Sequence, residues 1–164
     1  VWYLPKYMEH REPYSLEKLI RCYNVAQIIM NIVLVNMYLN IMKDEAFTKF
    51  WSHICYPISM TRHFEVPMLI EALHFGYYYH INKIIDFSET IFFALRKKNS
   101  QITKLHIFHH IVMYLTSWVF VIHAREEMAT VFAVLNSFVH VVMYFYYFLS
   151  SLGPGIQKYL WWKR

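Results

Sequence analysis

Charged residues are scarce in this sequence, and their absence from three long stretches is its most informative property. Only 16% of the 164 residues are charged, whereas 57% are hydrophobic and 20% are aromatic. The stretches without any Asp, Glu, Lys or Arg cover residues 22–42, 105–124 and 128–157. A soluble domain of this length rarely combines so many aromatic residues with so few charges. The composition therefore argues against an ordinary soluble protein.

Each charge-free stretch is long enough to cross a bilayer, because a spanning helix needs about 20 mainly apolar residues. A fourth run, 66–95, is also long enough but carries Glu71, Lys83, Asp86 and Glu89. The alternative is a buried helical bundle in a soluble protein. It is disfavoured because helices of soluble proteins usually show a polar stripe, which these stretches lack. We predict an all-α fold, a polytopic membrane helix bundle that forms one domain over residues 1–164, with spans at about 19–42, 67–95, 103–124 and 128–150.

The basic residues are divided unevenly between the two ends of the predicted spans. Eleven Lys or Arg residues lie before the first span or after the second and fourth, against four on the opposite side. By the positive-inside rule, the side with eleven faces the cytosol. The net charge of +5 is therefore interpreted as a topology signal and not as a nucleic-acid footprint.

Cysteine is scarce as well, and no internal disulfide is predicted. Cys22 lies at the cytosolic mouth of the first span, and Cys55 lies in the loop on the far side. A bilayer separates them, so Cys55 would pair only outside this chain or with nothing. Because the sequence begins at Val1 and stops at WWKR just after the fourth predicted span, we expect a piece of a larger membrane protein.

Three histidines interrupt the third predicted span in the stretch LHIFHHIVMY. His106, His109 and His110, with Met113, follow the i, i+3, i+4, i+7 spacing and so share one helix face. A lone histidine there would more often be a packed core ring with a backbone partner. Three on one face favour a site, because neutral imidazole can act as nucleophile, base or ligand near neutral pH.

The second span contains a charged motif, KIIDFSET. Lys83, Asp86 and Thr90 share a face, and Glu89 lies beside them. The simplest interpretation is a structural ion pair between Lys83 and Asp86, since ionisable groups at membrane depth are costly. That pair leaves Glu89 without a local partner, and an imidazole on the neighbouring helix would supply one.

The fourth span contains a third polar motif, NSFVHVVMYFYY. Its Asn136, His140, Met143, Tyr144 and Tyr147 lie on one face. Aromatic stripes at helical spacing usually indicate packing, but an amide and an imidazole at mid-span need a partner in the interior. A single buried pocket shared by the three spans would explain all three motifs.

The motifs, in order, resemble those of the very-long-chain fatty acid elongase (ELO) family of the endoplasmic reticulum. The resemblance rests on KIIDFSETIFFALRKKNSQ, HIFHH and NSFVHVVMYFYY, and it extends from HREPY to GPGIQKYLWWKR. One departure is that the family's first motif has Glu followed by Asp, whereas here the two acids are exchanged as Asp86 and Glu89. The resemblance implies a seven-helix fold, of which this chain lacks most of the first helix and the last two.

The resemblance also implies a reaction, the condensation of a fatty acyl-CoA with malonyl-CoA to a 3-oxoacyl-CoA, with release of CoA and carbon dioxide. His109 would accept the acyl group as an acyl-imidazole, and His140 would assist condensation or decarboxylation. The supporting catalytic residues would be those that orient the imidazoles or hold the thioester oxygen: His106, His110, Asp86, Glu89 and Asn136.

Substrate contacts are expected at the basic end of the motif-bearing spans and along the aromatic stripe. The residues expected to contact substrate are Lys83, Arg96, Lys97, Lys98, Gln101, Tyr144 and Tyr147. The RKK run would hold CoA phosphates, although a pure topology signal explains it equally well. Expected partners are acyl-CoA, malonyl-CoA, membrane lipid and other enzymes of the elongation cycle. We expect no nucleic acid, no bound cofactor and no resident metal.

Two other functions compete with this interpretation. A di-iron membrane desaturase or hydroxylase also uses HxxHH, but it needs several histidine boxes to ligate two irons. The remaining histidines are scattered and form no second box: His53, His63, His74, His80 and His123. Those at 74 and 80 are interpreted as interfacial or packing residues. A non-catalytic lipid carrier or channel would line a pore with the polar faces.

Overall fold

The computed structural model describes residues 3–41, 66–124 and 127–160, and within these ranges every regular element is helical. The all-α prediction is thereby confirmed. In chain order the helices are α1 (Tyr3–Tyr7), α2 (Glu17–Ile41), α3 (Val66–Asp86), α4 (Ser88–Leu95), a 3₁₀ turn (Asn99–Gln101), α5 (Lys104–Val119), a π turn (Phe120–Ala124), α6 (Glu127–Ser151) and α7 (Pro154–Gln157).

Three helical segments are long and apolar enough to cross a membrane, namely Glu17–Ile41, Lys104–Ile122 and Thr130–Ser151. They match three of the four predicted spans, and they make the chain a multi-pass membrane protein. The remaining predicted span, 67–95, is helical but divided into α3 and α4, and its crossing of the membrane stays a prediction. The predicted far-side loop charges and Cys55 lie outside the described residues, whereas Cys22 is an exposed free thiol.

The distribution of polarity in the described residues is the reverse of that in a soluble protein. Polar and charged side chains outnumber apolar ones among the buried residues. Large apolar side chains project outward, with Phe132 64%, Phe138 60% and Phe108 66% exposed. Contiguous exposed apolar surface of this kind suits contact with lipid or with further helices.

Helix α2 packs most extensively against α6, and α3 packs against both α2 and α5. At their meeting point Leu34, Phe75, Tyr79 and Ala133 form a buried apolar cluster. Partly buried side chains from α2 and α5 surround it. This cluster fixes the rotation of α2, α3 and α6, which in turn determines which face of each helix points inward.

A close approach between α3 and the π turn depends on Gly76. A Cβ atom at position 76 would lie 3.3 Å from Cε1 of Phe120 and 3.5 Å from Cγ2 of Val121. The absence of a side chain therefore lets the end of α5 lie directly on α3. Farther along the same pair of helices, Nδ1 of His80 lies 2.9 Å from Oγ of Ser117, a packing contact that agrees with the interpretation of His80.

The chain breaks its helical hydrogen bonding at Phe87, between α3 and α4. The Phe87 amide donates to the Ile84 carbonyl at 3.2 Å, so an i→i−3 bond replaces the usual i→i−4 bond. Asp86 therefore ends one helix and Glu89 lies in the first turn of the next. The two carboxylates consequently belong to different elements despite being three residues apart.

Helix α4 ends in a Schellman motif that holds the RKK loop. The Lys98 amide donates to the Phe93 carbonyl at 2.8 Å, and the Lys97 amide donates to the Ala94 carbonyl at 3.0 Å. Lys97 occupies the left-handed position with φ 55°, where glycine is the usual residue. Nζ of Lys97 also donates to the Glu9 carbonyl, which holds the N-terminal segment against this end of the bundle.

We predict that Leu34→Ala destabilises the bundle much more than Leu39→Ala on the same helix. Leu34 is fully buried in the apolar cluster, whereas Leu39 is 57% exposed. The buried truncation should lower the free energy of unfolding by about 2–5 kcal/mol. Thermal unfolding of both variants in one detergent measures the difference, and equal midpoints would contradict the proposed position of the core.

Candidate functional site

The carboxylate of Asp86 is the centre of a buried polar cluster that joins three helices. It receives a 2.8 Å ion pair from Nζ of Lys83, one turn away on α3. From α2, Nε2 of Gln27 donates to its Oδ1 at 3.0 Å, and from α6 the Tyr144 hydroxyl donates to the same oxygen at 3.2 Å. Asp86 is fully buried, so these donors replace the water that the charge loses. We call Asp86 and its partners the Asp86 cluster.

Lys83 has a polar or aromatic partner on several sides within this cluster. Beyond Asp86, its Nζ donates to Oδ1 of Asn136 at 2.9 Å and lies 4.9 Å from the centre of the Tyr79 ring. The Tyr79 hydroxyl donates to the same Asn136 oxygen at 3.0 Å. Lys83 and Tyr144, both expected to contact substrate, are thus buried and engaged with Asp86. The ion pair that the sequence suggests as the simplest interpretation is part of a larger network.

His140 lies at the edge of the Asp86 cluster. Its Nδ1 is 3.8 Å from Oδ2 of Asp86, which is within ion-pair range but too long for a hydrogen bond. Within the described residues this nitrogen has no hydrogen-bond partner, and the same holds for Oγ of Ser137 and Oδ1 of Asn82. A small movement of the imidazole toward Asp86 would fix its tautomer, as a carboxylate does for a catalytic histidine.

A second group, which we call the histidine cluster, lies where α4 meets α5. Oε2 of Glu89 is 3.8 Å from Nε2 of His110, and Oγ1 of Thr90 is 3.0 Å from Nε2 of His106. The two imidazole rings are 4.4 Å apart. Glu89, which lacks a local partner in the sequence, therefore faces an imidazole of the neighbouring helix. Glu89, His106 and His110 each offer one possible metal-ligand atom, all within 4.8 Å of one another.

His109 lies apart from both hydrogen-bonded groups. Its ring is exposed and stands 5.6 Å from the ring of His110. The spacing predicts one shared face for the three histidines, but His106 and His110 turn toward α4 while His109 points to the open side. The structure thus brings His140 to Asp86, and His106 and His110 to Glu89 and Thr90, with His109 beside the second group.

The sequence interpretation missed the contribution of α2. Gln27 supports Asp86, Nδ2 of Asn31 donates to Oε1 of Gln27 at 3.2 Å, and Nδ2 of Asn82 donates to Oδ1 of Asn31 at 3.3 Å. Asn24 is buried on the same face. The residues at 24, 27 and 31 follow helical spacing, so a shared polar face could have been predicted. A search for charged residues does not find it, because amides carry no charge.

The basic loop expected to hold phosphate lies at the end of the bundle where α4 stops and α5 begins. Lys97, Lys98 and Gln101 are exposed there, and Arg96 is half-buried. Thr103 caps α5 by accepting a hydrogen bond from the His106 amide at 3.1 Å. The loop therefore connects the two helices of the histidine cluster directly. Tyr147 lies elsewhere, half-buried beside Tyr144 at 6.3 Å between ring centres.

Comparison with known proteins is consistent with this arrangement. A family model described as ELO, the GNS1/SUR4 family, matches residues 1–164, the whole chain. The chain belongs to the ELO family. The resemblance inferred from the three motifs is thereby confirmed.

Relatives of this ELO chain include proteins named very long chain fatty acid elongases. Elongase 7 of Rattus norvegicus is 42% identical over 98% of this chain and 54% of its own length. Elongase 4 of Homo sapiens is 34% identical over 100% of this chain and 50% of its own length, and elongase 7 of Drosophila melanogaster is 35% identical over 98% and 46%. The chain thus spans about half the length of the curated relatives it matches.

We predict that Gln27→Leu destabilises this ELO chain while Asn40→Leu on the same helix does not. Leucine is close to glutamine in size but leaves Oδ1 of Asp86 with one donor fewer in a buried environment. The loss should be about 1–3 kcal/mol of unfolding free energy. Asn40 is exposed, and its hydrogen bond among the described residues is to the exposed Asn36, so its replacement should change little. Chemical denaturation in detergent measures both, and an unchanged Gln27→Leu midpoint would refute the role of the amide.

Proposed function

We propose that this protein condenses a long-chain fatty acyl-CoA with malonyl-CoA, giving a 3-oxoacyl-CoA two carbons longer, CoA and carbon dioxide. The observation that carries the proposal is the approach of the α5 imidazoles and His140 to the carboxylates of Asp86 and Glu89. Membership of the ELO family, and the names of the relatives, support the same reaction. The enzyme would be a very-long-chain 3-oxoacyl-CoA synthase.

His109 is the proposed acyl acceptor, because its ring is exposed while its two neighbours are engaged with Glu89 and Thr90. In the first half-reaction a nitrogen of this imidazole bonds to the thioester carbonyl carbon. The carbon–sulfur bond breaks, and the CoA thiolate takes the proton released from the ring. The product is an acyl-imidazole, a covalent intermediate that divides one difficult step into two easier ones.

In the second half-reaction malonyl-CoA loses carbon dioxide, and the resulting carbanion attacks the acyl carbon. The carbon–nitrogen bond to His109 breaks as the new carbon–carbon bond forms, and the imidazole regains a proton from solvent. His140 is the proposed assistant of this step, because its imidazole lies 3.8 Å from the carboxylate of Asp86. Asp86 would hold its tautomer during proton movement.

Asn136 is a proposed donor to the thioester oxygen. Its Oδ1 accepts hydrogen bonds from Lys83 and Tyr79, which fixes the orientation of the amide. The atom with donor capacity is therefore Nδ2, as an oxyanion requires. His106 and His110 would orient the pocket around His109, with Glu89 and Thr90 fixing their rings.

The RKK loop is the proposed contact for the phosphates of CoA. Lys97 and Lys98 are exposed at the end of the helices that carry the histidine cluster, and cations there would steer and hold phosphate. By the positive-inside rule this end faces the cytosol, and we propose an endoplasmic reticulum location. The acyl tail would occupy the apolar interior, near membrane lipid, and other enzymes of the elongation cycle would receive the product.

The alternatives account for fewer of these observations. A di-iron oxygenase needs additional histidine boxes, whereas His80 contacts Ser117 and His74 is exposed on α3. A carrier or channel would not require carboxylates paired with imidazoles beside a nucleophile. Neither alternative is favoured by the names of the relatives.

We predict that full-length protein releases labelled carbon dioxide from carboxyl-labelled malonyl-CoA only when an acyl-CoA is supplied. His109→Ala should reduce this release at least about 1,000-fold because the covalent acceptor is lost. The matched control is His74→Ala, an exposed histidine outside both clusters, which should retain wild-type turnover.

A folded His109→Ala variant that still turns over would remove the acyl-imidazole assignment. Acyl-independent release of carbon dioxide would instead indicate simple malonyl-CoA decarboxylation. Iron in stoichiometric amount, or lipid transport without any need for malonyl-CoA, would support one of the two alternatives.

We predict that Lys97→Gly and Lys97→Ala both raise the KM for acyl-CoA by roughly two- to fivefold, the effect of losing one exposed ionic contact. Both variants lose the contact of Nζ with the Glu9 carbonyl, but the glycine variant should be about 1 kcal/mol more stable than the alanine variant, because residue 97 has a left-handed backbone conformation. Steady-state kinetics and thermal unfolding of the pair separate phosphate binding from strain. An unchanged KM in both variants would mean that the charges of the loop set membrane topology and do not bind phosphate.

A further inference from the structure

We propose that Glu89, His106 and His110 form a binding site for one Zn²⁺ ion, and that occupancy of this site inhibits the enzyme. The sequence led us to expect no resident metal, and the proposal concerns an exogenous ion that competes with catalysis. Metal binding stands on the geometry alone, whereas its inhibitory effect rests on the condensation reaction proposed above.

The ligand type matches zinc. Two imidazole nitrogens and one carboxylate oxygen are a known set of three protein ligands, with a fourth position open to water. His106 and His110 lie one turn apart on α5, the spacing that aims two rings at one ion, and Glu89 reaches them from α4. Hard ions such as Mg²⁺ prefer oxygen ligands, so a borderline transition metal is selected.

The distances require only a small contraction. The three ligand atoms lie within 4.8 Å of one another, with Oε2 of Glu89 3.8 Å from Nε2 of His110. A tetrahedral zinc ion with bonds near 2.0–2.1 Å separates its ligand atoms by about 3.4 Å. The widest pair must therefore close by roughly 1.4 Å, which side-chain rotation on two fixed helices can supply.

The surroundings hold the ligands in place. The Thr103 cap fixes the first turn of α5, where His106 lies. Thr90 holds one nitrogen of His106 at 3.0 Å, and the His106 and His110 rings already stand 4.4 Å apart. Restricted rotation of these rings reduces the entropic cost of binding an ion.

Charge also favours a cation at this point. Asp86 is compensated by Lys83 at 2.8 Å, but within the described residues no Lys or Arg lies within ion-pair distance of Glu89. Glu89 is buried, with 8% exposure. Lys83 acts on Glu89 only at longer range than ion-pair contact, and a buried carboxylate without a cation in contact is costly. A divalent ion bound there would supply that contact.

Inhibition follows from the positions of the ligands. Zinc would accept one lone pair from the imidazole of His106 and one from that of His110. The ring of His109 lies 5.6 Å from that of His110. The flanking rings would then be fixed on the metal and unable to rearrange around the acyl-imidazole. His109 itself is outside the ligand set, which gives the proposal a sharp control.

The first experiment measures metal binding independently of activity. Untagged full-length protein in detergent is titrated with Co²⁺, a zinc substitute with visible absorption bands, and zinc content is measured after equilibrium dialysis. We expect one ion per chain. His106→Ala, His110→Ala and Glu89→Gln should each weaken binding more than about tenfold, since even a supporting partner contributes that much.

His109→Ala and His74→Ala are the controls for this experiment, and both should bind metal as the wild type does. If an alanine variant does not fold, His106→Gln and His110→Gln serve in its place. Binding that survives loss of both His106 and His110, or that requires His109, would overturn the site.

The second experiment measures acyl-dependent release of carbon dioxide with added Zn²⁺, followed by chelation with EDTA. We expect reversible inhibition with the same dissociation constant that equilibrium dialysis gives for zinc. Full activity at saturating zinc would overturn the inhibitory role. If the protein shows no condensation even without metal, the proposed function fails, while the cobalt titration still decides the metal site.

Discussion

A fully buried carboxylate within a membrane helix bundle is the constraint on which the rest of this structure depends. Asp86 has no access to water, so every stabilising contact must come from protein groups. Those groups come from its own helix and from α2 and α6, through Lys83, Gln27 and Tyr144. Satisfying one charge therefore fixes the relative placement of three helices, and with them His140.

The break at Phe87 allows a second carboxylate to serve a different purpose. An unbroken helix would place Asp86 and Glu89 in successive turns of one face, competing for the same partners. Because α3 ends at Asp86 and α4 begins at Ser88, Asp86 turns to Lys83 and Glu89 turns to His110. Asp86 thus has a cation in direct contact, whereas the partner described for Glu89 is an imidazole of the neighbouring helix.

Much of the site was visible in the sequence, because its residues are charged or titratable within apolar surroundings. The motifs around Asp86, His106 and His140 can be recognised by that contrast. The amides of α2 cannot be recognised in this way, because Gln27 and Asn31 carry no charge. The orientation of His109 was also not predictable, because adjacent positions on a helix differ by about 100° and packing decides which faces inward.

The sequence by itself determined that this chain forms apolar helices, which residues can share a helix face, and to which family the motifs belong. These properties depend on composition and spacing, which are local. Only the tertiary structure decided which partner each buried group received. Gln27 and Asp86 are 59 positions apart, and their contact depends on the rotation of each helix about its own axis. That rotation is fixed by the packing of Leu34, Phe75 and Ala133, and no single helix encodes it alone.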